Sequence, residues 1–383
     1  MENGIYFNLP EDEYLAIKRV SKSAIKKLRV SPADFWADSW LNPNKEELTP
    51  EQERGRKLAM VVGRAYHAAR LEPEKYAATY VRELSKADFA DEKGFVSTGT
   101  EMKAALKDCG EKMSGNVMEQ AERLKAAGHP GKIWQIELAA WEATLKPDQI
   151  ALPAKIYEEI EEDVRRIKSS PVIHDLLSGG APEVSVLWNC PETGIPMKAR
   201  LDYLKSEKWV EFKTFANPSS KNLNQCIMDA VKYNRYYIDA VCYFQTCEVV
   251  RSGALHIIGE ADDFQRELIA SIKESAAPLD CHFVFQQKGG VPNIFEREFV
   301  YFNVPMSTTA SEAGAPEDRV EAMRELSKRR SAVHVKAAME IAQAKRDFLA
   351  YSEIYEEGEP WLPFNPSGEI TDDDFPPYWL ESL

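Results

Sequence analysis

The chain lacks the usual marks of several protein classes. None of its six cysteines (109, 190, 226, 242, 247 and 281) belongs to a C-x-x-C pair. That spacing excludes the common structural zinc and cysteine-ligated iron–sulfur sites, and reduced thiols in a cytoplasm are the expectation. No apolar run approaches the roughly 18 residues of a membrane span, so no membrane partner is expected. The opening, MENGIYFNLPEDEY, is acidic and lacks the basic-then-apolar order of a secretory signal. No internal repeat is present. Positive charge is missing from the end of the chain: no Lys or Arg follows Arg346, while the residues from Asp347 onward include ten acids. The net charge of −14 is therefore unevenly spread, and the rest of the chain bears only −4. Phosphate affinity comes largely from Lys and Arg, so this balance neither excludes nor supports a nucleic-acid partner.

What remains is an ordinary globular composition, with 383 residues, 44% apolar and 29% charged. The length suits one large domain with appendages, or two domains. Basic residues cluster at Lys18, Arg19, Lys22, Lys26, Lys27 and Arg29, and again at Arg54, Arg56, Lys57 and Arg64. Taken singly, each cluster reads as a solvated helix face.

The pattern predicts two short helices, SKSAIKKL and SPADFWADSWL, capped by Ser21 and Ser31 with Pro32 in a first turn. A longer helix should start at the capping box Thr49-Pro50-Glu51-Gln52 and run to about Leu71, with Leu58, Val61, Val62 and Ala65 at helical spacing. Residues 83–131 read as a looser helical insert. A helix over Ala151–Ser170 should end at Pro171, followed by a turn to Leu177. Strands are predicted at EVSVLW, MKARLDYL and KWVEFKT, then helices near 222–231 and 233–246. ALHIIGE reads as a strand, 262–276 as a helix, and CHFVFQQ with IFEREFVYF as a final strand pair. Residues 307–315 suit a linker. A charged helix over about 316–352 should place Val320, Met323, Leu326, Val335, Met339 and Ala342 on one side. A tail rich in proline, acids and aromatics follows from 353 to 383. The order of elements predicts an α/β fold with a mixed central sheet flanked by helices.

Chemistry concentrates in KARLDYLK and KWVEFKT. Strand side chains alternate faces, so Arg200 and Asp202 share one face of the first run, and Glu211 and Lys213 share one face of the second. A hairpin symmetric about Ser206-Glu207 puts Asp202 directly opposite Glu211. Like charges so placed destabilise a sheet, and a sequence that places them there has a cation to hold. Two carboxylates and a lysine around a divalent metal is the chemistry of metal-assisted phosphodiester hydrolysis. The bland alternative is an exposed hairpin with a surface Glu–Lys pair, but Leu201, Tyr203, Val210 and Phe212 argue for burial. His67, four residues after Gly63 on the same helix face, is a candidate third ligand, against the alternative of a histidine satisfied within its helix. The other five histidines have no comparable setting. Glu183 is either an accessory acid or a surface acid at a strand start. The tyrosines over 233–243 suit a core, or stacking on bases and contacts to phosphate.

In that order, GRAYHAARLEPEKY, PEVSVLWNCPETGIPMKARLD, VEFKT and YNRYYIDAVCY resemble the RecE-type exodeoxyribonuclease VIII family. This family lies in the PD-(D/E)XK nuclease superfamily, in the branch that includes RecB-type nuclease domains and lambda exonuclease. The opening VSKSAIKKLRVSPADFW and the ending PPYWL share the likeness, which spans most of 20–302 plus the tail. The resemblance implies a restriction-endonuclease-like core over 1–306, followed by the linker and long helix over 307–352. It implies catalytic roles for Asp202, Glu211 and Lys213. It also implies that Asp202, Glu211, the Phe212 carbonyl and His67 bind Mg²⁺, with Mn²⁺ as a substitute, and that Lys213 orients the attacking water. Glu183 and Tyr237 are accessory candidates. Asp239 stands where the family carries a glutamine and is left outside the core site.

The activity so implied is degradation of linear duplex DNA from 5′ ends by a ring-shaped homo-oligomer in a bacterial or phage-infected cell. The resulting 3′ single strands would pass to an annealing protein. The alternatives are a Cas4-like or RecB-like single-strand nuclease, a DNA-binding or recombination module with a decayed site, and an acidic adaptor with a fortuitous hairpin.

Overall fold

A computed structural model describes residues 1–45, 50–217, 221–288, 293–299 and 332–362. In chain order the strands are β1 Gly4–Tyr6, β2 Tyr80–Arg82, β3 Ile150–Leu152, β4 Ala181–Asn189, β5 Pro196–Leu204, β6 Lys208–Ala216, β7 Asp280–Lys288 and β8 Ile294–Glu298. The α-helices are α1 Glu11–Ala16, α2 Lys22–Leu28, α3 Pro32–Asp38, α4 Pro50–Leu71, α5 Pro73–Thr79, α6 Gly99–Asp108 and α7 Val117–Ala126. They continue with α8 Trp134–Glu142, α9 Ala154–Ser169, α10 Pro171–Leu176, α11 Leu223–Tyr233, α12 Tyr236–Arg251, α13 Asp263–Glu274 and α14 Ala332–Ile354. No helix among the described residues is long and apolar enough to cross a membrane.

The chain folds as two units, one of residues 1–47 and 176–383, the other of residues 48–175. The span expected as one domain, 1–306, thus contains the whole of the second unit as an insertion.

The first unit is built on a six-stranded sheet of order β1-β4-β5-β6-β7-β8. Every neighbouring pair is antiparallel except β6 and β7. A parallel pair needs a crossover between its strands, and α11, α12 and α13 occupy it. The expected mixed α/β architecture is present. β7 is buried on both faces, with Cys281, Phe283 and Phe285 on one and Val284 and Gln286 on the other, as an interior strand covered on both sides should be. Helix α12 buries Ile238, Ala240, Val241, Cys242, Tyr243, Phe244, Cys247 and Val250. A helix apolar on all sides belongs inside the molecule. Tyr243 meets Trp209 of β6 edge-on, with ring centroids 5.2 Å apart.

The capping expected at Ser21 and Ser31 is present. Their side chains accept the Ala24 and Asp34 N–H groups, and Pro32 opens α3. Just before α2 the chain is stitched to β5: the Val20 N–H donates to the Pro196 carbonyl, and the Lys198 N–H donates to that of Val20. Lys198 is buried, and its ammonium donates to the carbonyls of Tyr14, Leu15 and Ile17 at 2.9, 3.3 and 2.8 Å. Its three donors therefore cap the end of α1, where the Tyr14 and Ile17 carbonyls also accept the Ile17 and Arg19 N–H groups.

The second unit has two small cores. Ala65, Ala68, Ala69, Tyr76, Tyr80, Leu152 and Ile160 form one. Val96, Met102, Leu106, Ala121, Leu124 and Ile133 form the other, within the predicted helical insert. Helix α4 ends at Leu71 as expected; Thr49 of its expected capping box lies outside the described residues.

Several expectations are corrected. The helix predicted over Ala151–Ser170 begins at Ala154, because Ile150–Leu152 pairs in parallel with Tyr80–Arg82. Pro171 opens α10 where a turn was predicted, since a proline at the first helical position forgoes only an N–H that has no partner there. ALHIIGE forms an isolated bridge, Ile257 to Ile5, and no strand. Gly259, at φ +83°, turns the chain away immediately afterwards. On α14 the buried stripe is Ala337, Ala338, Ile341 and Ala344. The predicted Val335 and Met339 face outward, at 36% and 64% exposure. Small alanines let α14 lie close against its neighbours, and side-chain volume here outweighs hydropathy. Val320, Met323, Leu326, the 307–315 linker and the tail beyond Leu362 lie outside the described residues.

Lys198→Met keeps most of the side-chain volume but takes three hydrogen bonds from the carbonyls at the end of α1. An unsatisfied buried polar group costs about 1–3 kcal/mol, so urea unfolding should show a loss of about 2 kcal/mol. A variant as stable as the parent would show that these contacts contribute little.

Candidate active site

The hairpin register is the predicted one at its closed end, where Tyr203 pairs with Val210 and Leu204 with Trp209. Beyond those pairs the ladder stops, one step before Asp202 would face Glu211. The Asp202 carboxylate instead takes the place of a strand partner: its Oδ2 accepts the Phe212 N–H at 2.7 Å. The strands part where two like charges would otherwise meet. Within a strand, the N–H and C=O of one residue point to the same neighbour, so the Phe212 carbonyl also faces the β5 side.

Glu183 lies opposite Asp202 on the other side of β5. The pairs Pro182–Tyr203 and Val184–Leu201 flank that position. Glu183 has φ +52°, a left-handed backbone that is costly for a residue with a side chain and clusters at functional sites. Carboxylate oxygens of Glu183 and Asp202 lie within 4.8 Å of each other, and Arg200 Nη1 is 3.8 Å from Glu183 Oε2.

Glu211 is 1% exposed. Its Oε1 receives Lys213 Nζ at 2.5 Å and Lys22 Nζ at 2.6 Å. Oε2 is buried and has no hydrogen-bond partner. Burial opposes ionisation of Glu211, but the Lys213 and Lys22 ammonium groups outweigh it and hold the carboxyl at about 2. For Lys213, burial disfavours the charged form, yet Glu211, Asp239 and Asp202 together raise it well above the ordinary lysine value. In the metal-free site Lys213 is therefore charged at neutral pH.

Asp239, also 1% exposed, contacts Lys213 at 3.3 Å and Lys26 at 2.7 Å. The structure thus brings into the cluster a residue that the sequence reading left out. Tyr236 lies beneath Lys213, whose Nζ is 4.9 Å from the ring centroid. Tyr243 accepts a short contact from Lys22 and donates from its hydroxyl to the Arg200 carbonyl at 2.8 Å. Burial, reinforced by the charges of Glu211 and Asp202, raises its ionisation far out of range, so the hydroxyl keeps its proton.

Asp202 thus meets Phe212 and Glu183, while Glu211 and Asp239 share Lys213. Tyr237 does not join them: its hydroxyl bonds Glu340 on α14 at 3.3 Å, because the adjacent Tyr236 takes the inward direction on the helix. His67 lies on α4 of the second unit, half-buried. Sequence reasoning missed Lys22, Lys26, Tyr236, Tyr243 and Asp239. A signal existed in the spacing, since Lys22 and Lys26 are four apart on α2, and Tyr236, Asp239 and Tyr243 share one face of α12.

The donor set suits a hard divalent cation, which takes oxygen ligands. The orphaned Glu211 Oε2 is the observation that fits one, because a buried carboxylate oxygen without a donor costs free energy unless a cation satisfies it. No family model matches the chain, and no curated protein matches it. Among solved structures, the chain is similar to a crystal structure from Eubacterium rectale described as "Putative exonuclease". The two are 13% identical, over 69% of this chain and 87% of that one, with a TM-score of 0.28. A likeness that distant carries no argument about function.

Because Glu211 ionises more readily folded than unfolded, its stabilisation is complete above its unfolded value of 4.5 and fades as pH falls towards 2. Glu211→Gln should therefore cost about 3 kcal/mol at pH 7 without divalent metal. Urea titrations should show the gap from wild type shrinking below pH 4.5. A gap that stays constant down to about pH 3 would refute the assigned ion pairs.

Proposed function

We propose that this protein is a metal-dependent DNA exonuclease of the RecE type. The observation that carries the reading is the buried Glu211 with its orphaned oxygen, set beside Asp202 where β5 and β6 part and bonded to Lys213. A purely structural ion pair would not need an unsatisfied carboxylate oxygen or a second acid at the same break. The sequence resemblance supplies the substrate class, the 5′-to-3′ direction, the ring-shaped oligomer and the annealing partner.

In this reading Asp202, Glu211 and the Phe212 carbonyl would hold Mg²⁺, or Mn²⁺ in its place, and the sequence resemblance adds His67 to the ligand set. The ion supplies positive charge for the phosphodiester as its bond to the leaving oxygen breaks. The chain's own contribution centres on Lys213. It donates hydrogen bonds, orients the attacking water and stabilises negative charge developing on the phosphate. Glu211 and Asp239 fix its head group, and the Tyr236 ring supports it from below. Pre-set donors of this kind need no rearrangement at the moment of reaction.

End-labelled linear duplex, single-stranded and closed circular DNA, each with Mg²⁺ or EDTA, test the proposal. Linear duplex should be degraded only with Mg²⁺, and the circle spared. Lys213→Ala should retain folding and lose activity by about 10²-fold or more. Absence of cleavage of any DNA with either Mg²⁺ or Mn²⁺ would favour a binding module, and preference for single strands a Cas4-like or RecB-like enzyme.

His67→Ala is a separate test. It should weaken Mn²⁺ binding by about 10-fold or more, measured calorimetrically, while leaving the unfolding midpoint near that of the wild type. Unchanged binding would remove His67 from the ligand set and leave the other ligands in place.

A further inference from the structure

We propose that Lys22 is a built-in counterion whose charge opposes the divalent metal at Glu211, so that metal binding drives it from the site. The inference rests on the proposed metal reading of this site and goes beyond it in assigning a role to Lys22.

Two ammonium groups share one carboxylate oxygen, Glu211 Oε1, at 2.5 Å (Lys213) and 2.6 Å (Lys22). They are not held alike. Lys213 is 13% exposed, is contacted by both Glu211 and Asp239, and lies over the Tyr236 ring. Lys22 is 23% exposed, and its charge meets one carboxylate only. Its remaining contacts are the neutral hydroxyl of Tyr243 and the ring of the same residue, with Nζ 4.1 Å from the centroid. Lys22 is also the first residue of α2, so its side chain leaves the site without disturbing the sheet. Of the two cations, Lys22 is the one able to depart.

Charge makes that departure favourable. Glu183, Asp202, Glu211 and Asp239 are matched by Arg200, Lys22, Lys26 and Lys213. The cluster is neutral without a metal, which makes its burial tolerable. A dication adds two positive charges to a balanced site. Each ammonium left close to it adds repulsion, strong in a medium of lower dielectric than water. Releasing Lys22 towards solvent relieves the largest removable share of the repulsion felt by an ion at the free Oε2. The cost of that exchange lowers the apparent affinity for metal.

The experiment is calorimetric titration of Mn²⁺ into the full chain, without DNA, for wild type, Lys22→Met and Lys22→Arg. Circular dichroism confirms that each is folded. Lys22→Met removes the charge and keeps the chain length, and should bind Mn²⁺ about 10-fold more tightly than wild type. Lys22→Arg keeps the competing charge and should stay within about 3-fold of wild type. If Lys22→Met binds with unchanged or weaker affinity, Lys22 does not compete and the inference falls, leaving the metal site intact. If none of the three proteins binds Mn²⁺, the metal reading itself fails and takes this inference with it.

Discussion

The carboxylate of Glu211 sits inside a sheet, 1% exposed, and the rest of the first unit is arranged to keep its charge there. An isolated carboxylate in such a place would cost several kcal/mol or would protonate. Two ammonium groups on a single oxygen prevent that, and they arrive by different routes. Lys213 comes from the same strand two residues on. Lys22 comes from α2, which is held over β5 by the backbone bonds between Val20 and the stretch Pro196–Lys198. The placement of α2 is thus as much a requirement of the buried acid as of the core that Ile25 and Leu28 enter.

The sheet topology does the remaining positioning. Because β6 and β7 run parallel, the chain between them must cross one face, and that crossover delivers α12 onto the hairpin. One face of α12 then presents Tyr236, Asp239 and Tyr243 to the acids. Asp239 completes an alternating series of charges, Lys26, Asp239, Lys213, Glu211 and Lys22, that ties α2, β6 and α12 together. A neutral glutamine at position 239 could accept hydrogen bonds from the two lysines but could not balance their charge. The aspartate is therefore matched to the presence of Lys26.

Much of this was legible in the sequence, for identifiable reasons. Alternation over 183–188, 197–204 and 208–214 marked the strands, and the short turn at Ser206-Glu207 set the register seen at Tyr203–Val210. Ser21 and Ser31 marked their helices through a cap chemistry that is local. What could not be read depended on distant parts of the chain. Nothing near Asp202 says that its ladder should break, because the break arises from two charges that only the fold brings together. Lys22 and Lys26 looked like solvated helix residues, and only the placement of α2 over β5 turns them inward. Tyr236 and Tyr237 are adjacent, and the helix phase that sends one to Lys213 and the other to Glu340 is set by packing against α14. The stripe on that helix was misassigned for the same reason, since hydropathy favoured Val335 and Met339 where close approach required alanine.

The acidity of the whole chain and the chemistry of the site operate on different length scales. At physiological ionic strength, exposed charges more than about 8 Å apart are largely screened from each other, so net charge does not decide what a phosphate at Lys213 would meet. What such a phosphate meets is the local balance, which is neutral without an ion and positive with one. A site that acts as proposed would then hold its metal weakly alone and more firmly beside a phosphodiester, since each offsets the other's charge. Linkage makes the effect reciprocal: whatever the substrate adds to metal affinity, the metal adds to substrate affinity. A protein with a net charge of −14 can on these terms accommodate a polyanion, provided that metal and polyanion bind together.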